Sequence, residues 1–405
     1  MASGNAVAAF NAQGQPLRGF PVRWQDELRA LAAGDLDGDG RVELVAASTT
    51  TLRASGQRDL LMAWRGDGSA MPGWPPNTSG ASGCDDNCDV TGGFDQNLAV
   101  GPLDDDTSMD VLAPMDNAYI SWHHGSGEAF RAASIFRGVT RVPGVRFLHD
   151  YAEAMQGYSE HEDSSDQAHF TNTAPAIVDL DGDGRREIVA LASVQNASQS
   201  DRERGVALWA LHNDGTRLAG WETPFAVRPY LAGLNDLGDN IVGATNQVAV
   251  ADLQPESAGP EVVFAGFDGR VWCVGADRSG RWSTVYTTDP TVLTAGAVIA
   301  DLTGDGRPEV VFATYSRASG GAALYVLDAR GMIQQRVALP GRGSMAVPAV
   351  ADLDGDGALE VLVSLKDTTP RGEGVLVFTV PGSSTGCAPW PMGRGNLLRN
   401  GTPTA

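Results

Sequence analysis

One acidic nonapeptide recurs along this chain, and its recurrence limits the fold more than any other feature. Residues 35–43 read DLDGDGRVE, 179–187 DLDGDGRRE, 301–309 DLTGDGRPE and 352–360 DLDGDGALE. Two degraded copies stand in the same context: PLDDDTSMD at 102–110 and the one-residue-longer DLQPESAGPE at 252–261. Their starts at 35, 102, 179, 252, 301 and 352 are 67, 77, 73, 49 and 51 residues apart. The two shortest spacings set a basic period of about 50, the length of a four-stranded propeller blade.

Short apolar runs flank each acidic cluster, such as LAAG and VELVAAS in the first copy and AVIA and VVFAT in the fifth. Runs of this kind, rich in Val and Ala and bounded by Gly, predict two buried strands joined by the acidic loop. A second hairpin follows in each unit, for example VALWALHNDGTRLAGW and VLVFTVPGSSTGCAPWP, with Gly-containing turn chemistry at its tip. The N-terminus adds a seventh such hairpin, AVAAFNAQGQPLRGFP, with no acidic loop before it. The predicted fold is all-β, a single β-propeller of seven four-stranded antiparallel blades, with six as the alternative. A partial blade covers 5–24, and blades cover 30–77, 98–130, 174–226, 247–287, 295–340 and 346–393. Seven second hairpins face six first hairpins, so either upstream residues complete the first blade or the ring closes with borrowed strands. The tail GRGNLLRNGTPTA does not read as two strands and favours the former. Fifty glycines and 22 prolines suit many short strands with tight turns. Insertions fall at 79–97, 123–172, 195–204 and 228–246, with 131–172 the largest excursion from the blades and a short helix expected around DYAEAMQ. Long loops in a compact domain are usually functional or cap one face.

The acidic loops read as metal cages. Three carboxylates spaced by two on a backbone turned by glycines point inward, a fourth from position nine closes the far side, and the carbonyl of position seven adds an oxygen. The expected ligand sets are Asp35, Asp37, Asp39, Arg41 (carbonyl) and Glu43; Asp179, Asp181, Asp183, Arg185 (carbonyl) and Glu187; Asp301, Thr303, Asp305, Arg307 (carbonyl) and Glu309; and Asp352, Asp354, Asp356, Ala358 (carbonyl) and Glu360. Asp104, Asp106 and Asp110 form a weaker fifth set, because Pro102 stands where the first ligand belongs. The loop at 252–261, with Gln254 and an extra residue, is the poorest. Hard oxygen donors select Ca²⁺, in about four sites and at most five. Packed carboxylates without a cation would repel one another or hold protons. The loops are not EF-hands, whose bidentate Glu falls at position twelve between helices.

The units PAIVDLDGDGRREIVALAS and PAVADLDGDGALEVLVS resemble FG-GAP or VCBS repeats, as in the integrin α-subunit propeller and many bacterial surface proteins. The resemblance recurs over roughly residues 5–393. It implies a propeller with calcium loops between the first two strands of a blade, carried over to Asp35, Asp37, Asp39, Glu43 and their counterparts. The literal Phe-Gly and Gly-Ala-Pro signatures are absent.

A net charge of −21 argues against nucleic acid or an anionic membrane surface as partner. No window approaches 18 uninterrupted apolar residues, so no membrane insertion is expected. MASGNAVAAF carries no signal peptide. Cys84 and Cys88 in CDDNC suit a small loop-pinning disulfide, and with Cys273 and Cys387 left over they favour an oxidising, extracellular or cell-surface setting. Five of six histidines, His123, His124, His149, His161 and His169, fall within 47 residues among several acids. A general base or a transition-metal site can be built from such a cluster, with His149, His161 and His169 as candidate catalytic residues. The alternative is a polar capping loop. Arg65, Gly66 and Asp67 spell the adhesion tripeptide RGD but occupy a hairpin turn. Trp64, Trp122, Trp209 and Trp272 recur at one place in the third strand, as inter-blade packing would require. Three functions remain: an adhesion or binding module for a protein or glycan ligand; a propeller-fold polysaccharide lyase or hydrolase using the His-rich insertion; and a structural module of a larger surface protein.

Overall fold

The apolar runs on either side of each acidic loop pair across it as antiparallel strands, in one register throughout. In the computed structural model, which describes residues 2–24, 27–48, 61–74, 97–114, 119–128, 130, 145–146, 167–170, 173–195, 205–233 and 246–404, every regular element is a strand. Leu28–Gly34 pairs with Glu43–Ser48 so that Gly34 faces Glu43. The same geometry sets Gly101 against Asp110, Val178 against Glu187, Ala251 against Glu261, Ala300 against Glu309 and Ala351 against Glu360. The ninth residue of every acidic loop therefore opens a strand, and burial of that strand buries its carboxylate.

Among the described residues the strands form seven sheets of three to five strands, in chain order. The sheets are successive antiparallel meanders, apart from one short parallel pairing of Thr173–Ala174 with Asn246–Ala251. Innermost strands of consecutive sheets lie against one another, as Asn246–Ala251 does against Val292–Ala300. The architecture is a β-propeller. Both faces of each blade are covered, because side chains alternate between them. In Glu187–Gln195, Val189 and Leu191 join the cluster shared with the following sheets, while Ile188, Ala190 and Ala192 join the cluster shared with the preceding one. This explains why these strands read as continuous apolar runs.

Tryptophans lock neighbouring blades. The indole Nε1 of Trp74 donates to Gly125 O at 2.9 Å, Trp122 to Asn213 O at 2.7 Å, Trp221 to Ala276 O at 2.7 Å and Trp282 to Ala329 O at 3.0 Å. Each acceptor lies one residue beyond the end of the third strand of the next blade. Position in the repeat thus dictates these rings, and packing accounts for Trp64, Trp122 and Trp209, all buried.

Two expectations are corrected. The last hairpin forms no fourth strand: the seventh sheet stops at Val375–Val380, since Pro381, Pro389 and Pro391 deny the next segment the donors a ladder needs. That segment becomes a central tail instead. Asp301 N donates to Cys387 O, Ile299 N to Trp390 O, Val350 N to Pro391 O, Ala33 N to Leu398 O, Val100 N to Asn400 O and Ile177 N to Gly401 O, at 2.7–3.0 Å. Carbonyls of 387–401 thus satisfy the channel-facing N–H groups of five innermost strands, which would otherwise be unpaired edges. Trp390 is wholly buried there. Second, Cys273 and Cys387 are both free, the first buried and the second exposed. Cys84, Cys88, the expected helix at DYAEAMQ, and His149 and His161 lie outside the described residues; of His169 only the backbone is described, in the strand Gln167–His169.

Candidate metal centre

Each complete loop is folded by its own first carboxylate. Asp179 Oδ1 and Oδ2 accept from Gly182 N and Gly184 N at 2.7 and 3.0 Å, and Asp301 and Asp352 do the same from Gly304 and Gly306 and from Gly355 and Gly357. In the first loop Asp35 accepts from Asp39 N and Gly40 N. The two glycines of each loop hold positive φ, from 70° at Gly38 to 90° at Gly184 and Gly357. A side chain there would be strained, so the glycines are required by the turn that aims the carboxylates.

The ninth residue works the same way in all six loops. One oxygen accepts from the N–H of the second residue: Glu43 from Leu36 at 2.9 Å, Asp110 from Leu103 at 2.8 Å, Glu187 from Leu180 at 2.8 Å, Glu261 from Leu253 at 2.9 Å, Glu309 from Leu302 at 2.7 Å and Glu360 from Leu353 at 2.9 Å. The other oxygen is left over. Asp110 Oδ1, Glu187 Oε1, Glu261 Oε1 and Glu360 Oε1 are buried with no hydrogen-bond donor, and the first three residues are 0% exposed. Burial, reinforced by Asp181, Asp183 and Asp179 and opposed by the Leu180 N–H, pushes the Glu187 carboxyl up to about 7. Burial chiefly raises Asp110 to about 7 as well, and raises Glu43, Glu261 and Glu309 above the usual carboxylate range. A buried oxygen without a donor, among other carboxylates, is the environment a divalent cation relieves. The hard oxygen donors fit Ca²⁺.

The structure ranks the loops differently from the sequence. Ligand atoms of Asp35, Asp37 and Asp39 lie within 4.8 Å of one another, as do those of Asp179, Asp181 and Glu187, and of Asp352, Asp354 and Asp356. Among the described residues, 301–309 offers no such triad: Thr303 replaces one carboxylate, and its hydroxyl donates to Glu309 Oε1 at 3.4 Å. The degraded 102–110 loop does offer one, because Asp104 and Asp106 are joined by His124.

Sequence reasoning missed what faces the loops. The residue ending the third strand points back at the acidic cluster. Arg65 Nη2 meets Asp37 Oδ2 at 2.9 Å, which ties the arginine of RGD to its own blade. His124 Nδ1 lies 3.3 Å from Asp104 Oδ2 and 3.4 Å from Asp110 Oδ1, and His212 Nδ1 3.6 Å from Glu187 Oε1. In the fourth blade that position is Gly275, where a Cβ would come within 2.2 Å of Arg281 Nη2; Arg281 Nε stands 3.5 Å from Glu261 Oε1. A guanidinium therefore occupies the one loop whose ligands have decayed. The signal was present in the alignment of AWRGDG, SWHHGSG and ALHNDG, whose first turn residues are Arg65, His124 and His212. A cleft of about 430 Å³ between the second and third loops is lined by Asp104, Asp105, Asp183, Arg186, His212 and Asp214, among others.

Residues 301–363 match the family of FG-GAP-like repeats. No curated protein matches the chain. Similar solved structures include BBS1N in complex with ARL6DN (12% identity, TM-score 0.44, 95% of this chain and 88% of that one). The Vibrio cholerae biofilm matrix protein Bap1 is 12% identical, with a TM-score of 0.37 over 99% of this chain and 78% of that one. Rhamnogalacturonan lyase YesW is 14% identical with a TM-score of 0.38, and the match covers 96% of this chain but 54% of the lyase. The chain thus spans about half the length of that lyase. No helix among the described residues is long and apolar enough to cross a membrane.

Proposed function

We propose that this chain is a calcium-stapled β-propeller that works outside the cell as a binding and adhesion module for a protein or glycan. The observation carrying the calcium reading is the buried carboxylate oxygen that the strand register leaves without a donor, at Glu187 and Glu360. Asp35, Asp37, Asp39 and Glu43 would hold one ion. The third and sixth loops would use Asp179, Asp181, Asp183 and Glu187, and Asp352, Asp354, Asp356 and Glu360. Asp301, Asp305 and Glu309, with Thr303, offer a poorer fourth site. Bound calcium supplies charge neutralisation and fixes the loops; the chain's own glycines and backbone donors pre-orient them. Ligands that converge only in the folded chain turn binding into stability. Dissociation constants of about 10⁻⁴–10⁻³ M, those of extracellular modules, suit such a role.

The binding assignment follows from the net charge of −21, which disfavours anionic polymers bound by charge alone, and from calcium loops at blade ends that fix neighbouring surface turns. Its test is an array of glycans and extracellular-matrix proteins, probed with the full chain in calcium and after chelation. Ligands retained in calcium and lost in chelator support the module. Silence across the array in calcium, with the protein folded, overturns it.

A further inference from the structure

The second acidic loop is built for a different ion. Pro102 removes the first carboxylate, and Asp110 at position nine is one methylene shorter than glutamate, so the oxygen cage that suits calcium is incomplete. In its place an imidazole arrives from across the blade. His124 Nδ1 lies 3.3 Å from Asp104 Oδ2 and 3.4 Å from Asp110 Oδ1, and its nitrogen and the oxygens of Asp104 and Asp106 fall within 4.8 Å of one another.

Two features show a positioned ligand set. Asp110 is 0% exposed, and its Oδ1 has no hydrogen-bond donor and faces the cluster, while Oδ2 is spent on Leu103 N. The His124 ring is fixed from both sides: its backbone N–H donates to Glu128 O and its carbonyl accepts from Gly127 N, and the imidazole stacks on Phe130 at 3.9 Å and 23°. Asp106 Oδ1 is held by Ser108 N and Oγ, and Asp104 Oδ1 by Asp106 N.

We propose that Asp104, Asp106, Asp110 and His124 form a binding site for a divalent transition ion of the zinc type, in preference to calcium. Three carboxylates and one imidazole make a four-donor set of mixed nitrogen and oxygen, which tetrahedral zinc accepts and which falls short of the six to eight oxygens calcium takes. Arg65, at the matching position of the preceding blade, has no lone pair to offer. His212 matches it in the following blade but faces a loop that keeps Asp179, its first carboxylate. The second loop alone combines the lost aspartate with a ligating nitrogen.

The experiment uses tag-free full-length protein, stripped of metal and refilled with millimolar calcium. Zinc is titrated by calorimetry, and cobalt by visible absorption. One equivalent of zinc should bind in the presence of calcium, and cobalt should develop ligand-field bands. His124→Asn should weaken zinc at least ~100-fold, since even outer-shell partners are worth 10–100-fold, and should abolish the cobalt bands. Asp106→Asn, at an exposed position, gives a second variant if the first fails to fold, and His212→Asn should leave zinc binding unchanged. Retention of the zinc equivalent by both ligand variants, or its displacement by calcium, overturns the site. Failure of calcium to bind elsewhere is read separately, from the calcium titration preceding zinc, and leaves this test intact.

Discussion

Replacing Glu187 by glutamine should stabilise the protein without calcium and destabilise it with calcium. Glu187 is 0% exposed, its Oε1 lacks a donor, and oxygens of Asp179 and Asp181 lie within 4.8 Å of its own ligand oxygen. Without metal, its carboxyl is raised from 4.5 to about 7, chiefly by burial. A group whose folded value is raised lends stability below the unfolded value and loses it as pH rises through the folded one, so at pH 8 the ionised form costs about 3 kcal/mol at 1.36 kcal/mol per unit. The amide keeps the shape, can still accept from Leu180 N, and turns a donor toward the neighbouring aspartates. With calcium, the ligand oxygen is lost; at a hundredfold excess over the dissociation constant the site contributes about 2.7 kcal/mol. An unfolding entropy of about 2.1 cal/mol/K per residue over 405 residues is about 0.85 kcal/mol/K, so each effect moves Tm by roughly 3 °C. Scanning calorimetry of wild type and Glu187→Gln at pH 8, in chelator and in calcium, reads both. Shifts of the same sign in the two conditions would refute the claim that an uncompensated charge, relieved by calcium, defines these loops.

Trp390→Ala should cost about 3 kcal/mol, the lower end for a fully buried aromatic because its indole nitrogen has no partner to lose; denaturant unfolding checks it, and a loss below about 1 kcal/mol means the central tail does not brace the ring. Arg281→Ala leaves Glu261 Oε1 without its cation and should destabilise by about 2–4 kcal/mol in calcium and chelator alike; melting curves in both media test this, and rescue by calcium would show that guanidinium and metal compete for that loop. Arg342 holds the Asp367 carboxyl down to about 2 through a bidentate pair, with Nη2 to Oδ1 at 2.5 Å. That contribution is present above the ordinary aspartate value and is lost as pH falls toward 2, so the Tm gap between wild type and Asp367→Asn should close between about pH 4 and pH 2. A gap that stays constant over that window contradicts the pairing.

The acidic loops were legible because every determinant is local. Ligand carboxylates, the glycines that turn them and the strand runs on either side fall within about twenty residues, and the fixed pairing of Gly34 with Glu43 and of Val178 with Glu187 follows from the loop length. The central tail was not legible. Its carbonyls meet N–H groups of Ala33, Val100 and Ile177, residues separated by more than two hundred positions from Leu398–Gly401, and no periodicity encodes an irregular segment that satisfies edges elsewhere. Partners of the loops were hidden for a related reason. His124 reads in sequence as one more histidine beside a His-rich insertion, and only strand pairing, Val111 against His123, brings its neighbour position over Asp104. Arg281 sits six residues past the equivalent place and reaches Glu261 because Gly275 has no side chain in the way.

These partners follow one electrostatic requirement. Strand register buries the ninth carboxylate in every blade, and an isolated buried charge is costly, so each blade must find a compensating group. The first loop retains all its carboxylates, and Arg65 takes up one of them at the exposed rim. The second substitutes an imidazole for a lost aspartate. The fourth places a guanidinium against Glu261, and with a built-in cation the inner aspartates lose their purpose: Gln254 and Ser257 stand in a loop that still folds through Glu261 and two backbone donors. The fifth softens the demand with the Thr303 hydroxyl. Decay of ligands and arrival of an internal partner therefore go together, as they must if the invariant element is the buried acid and the metal is one of several ways to neutralise it.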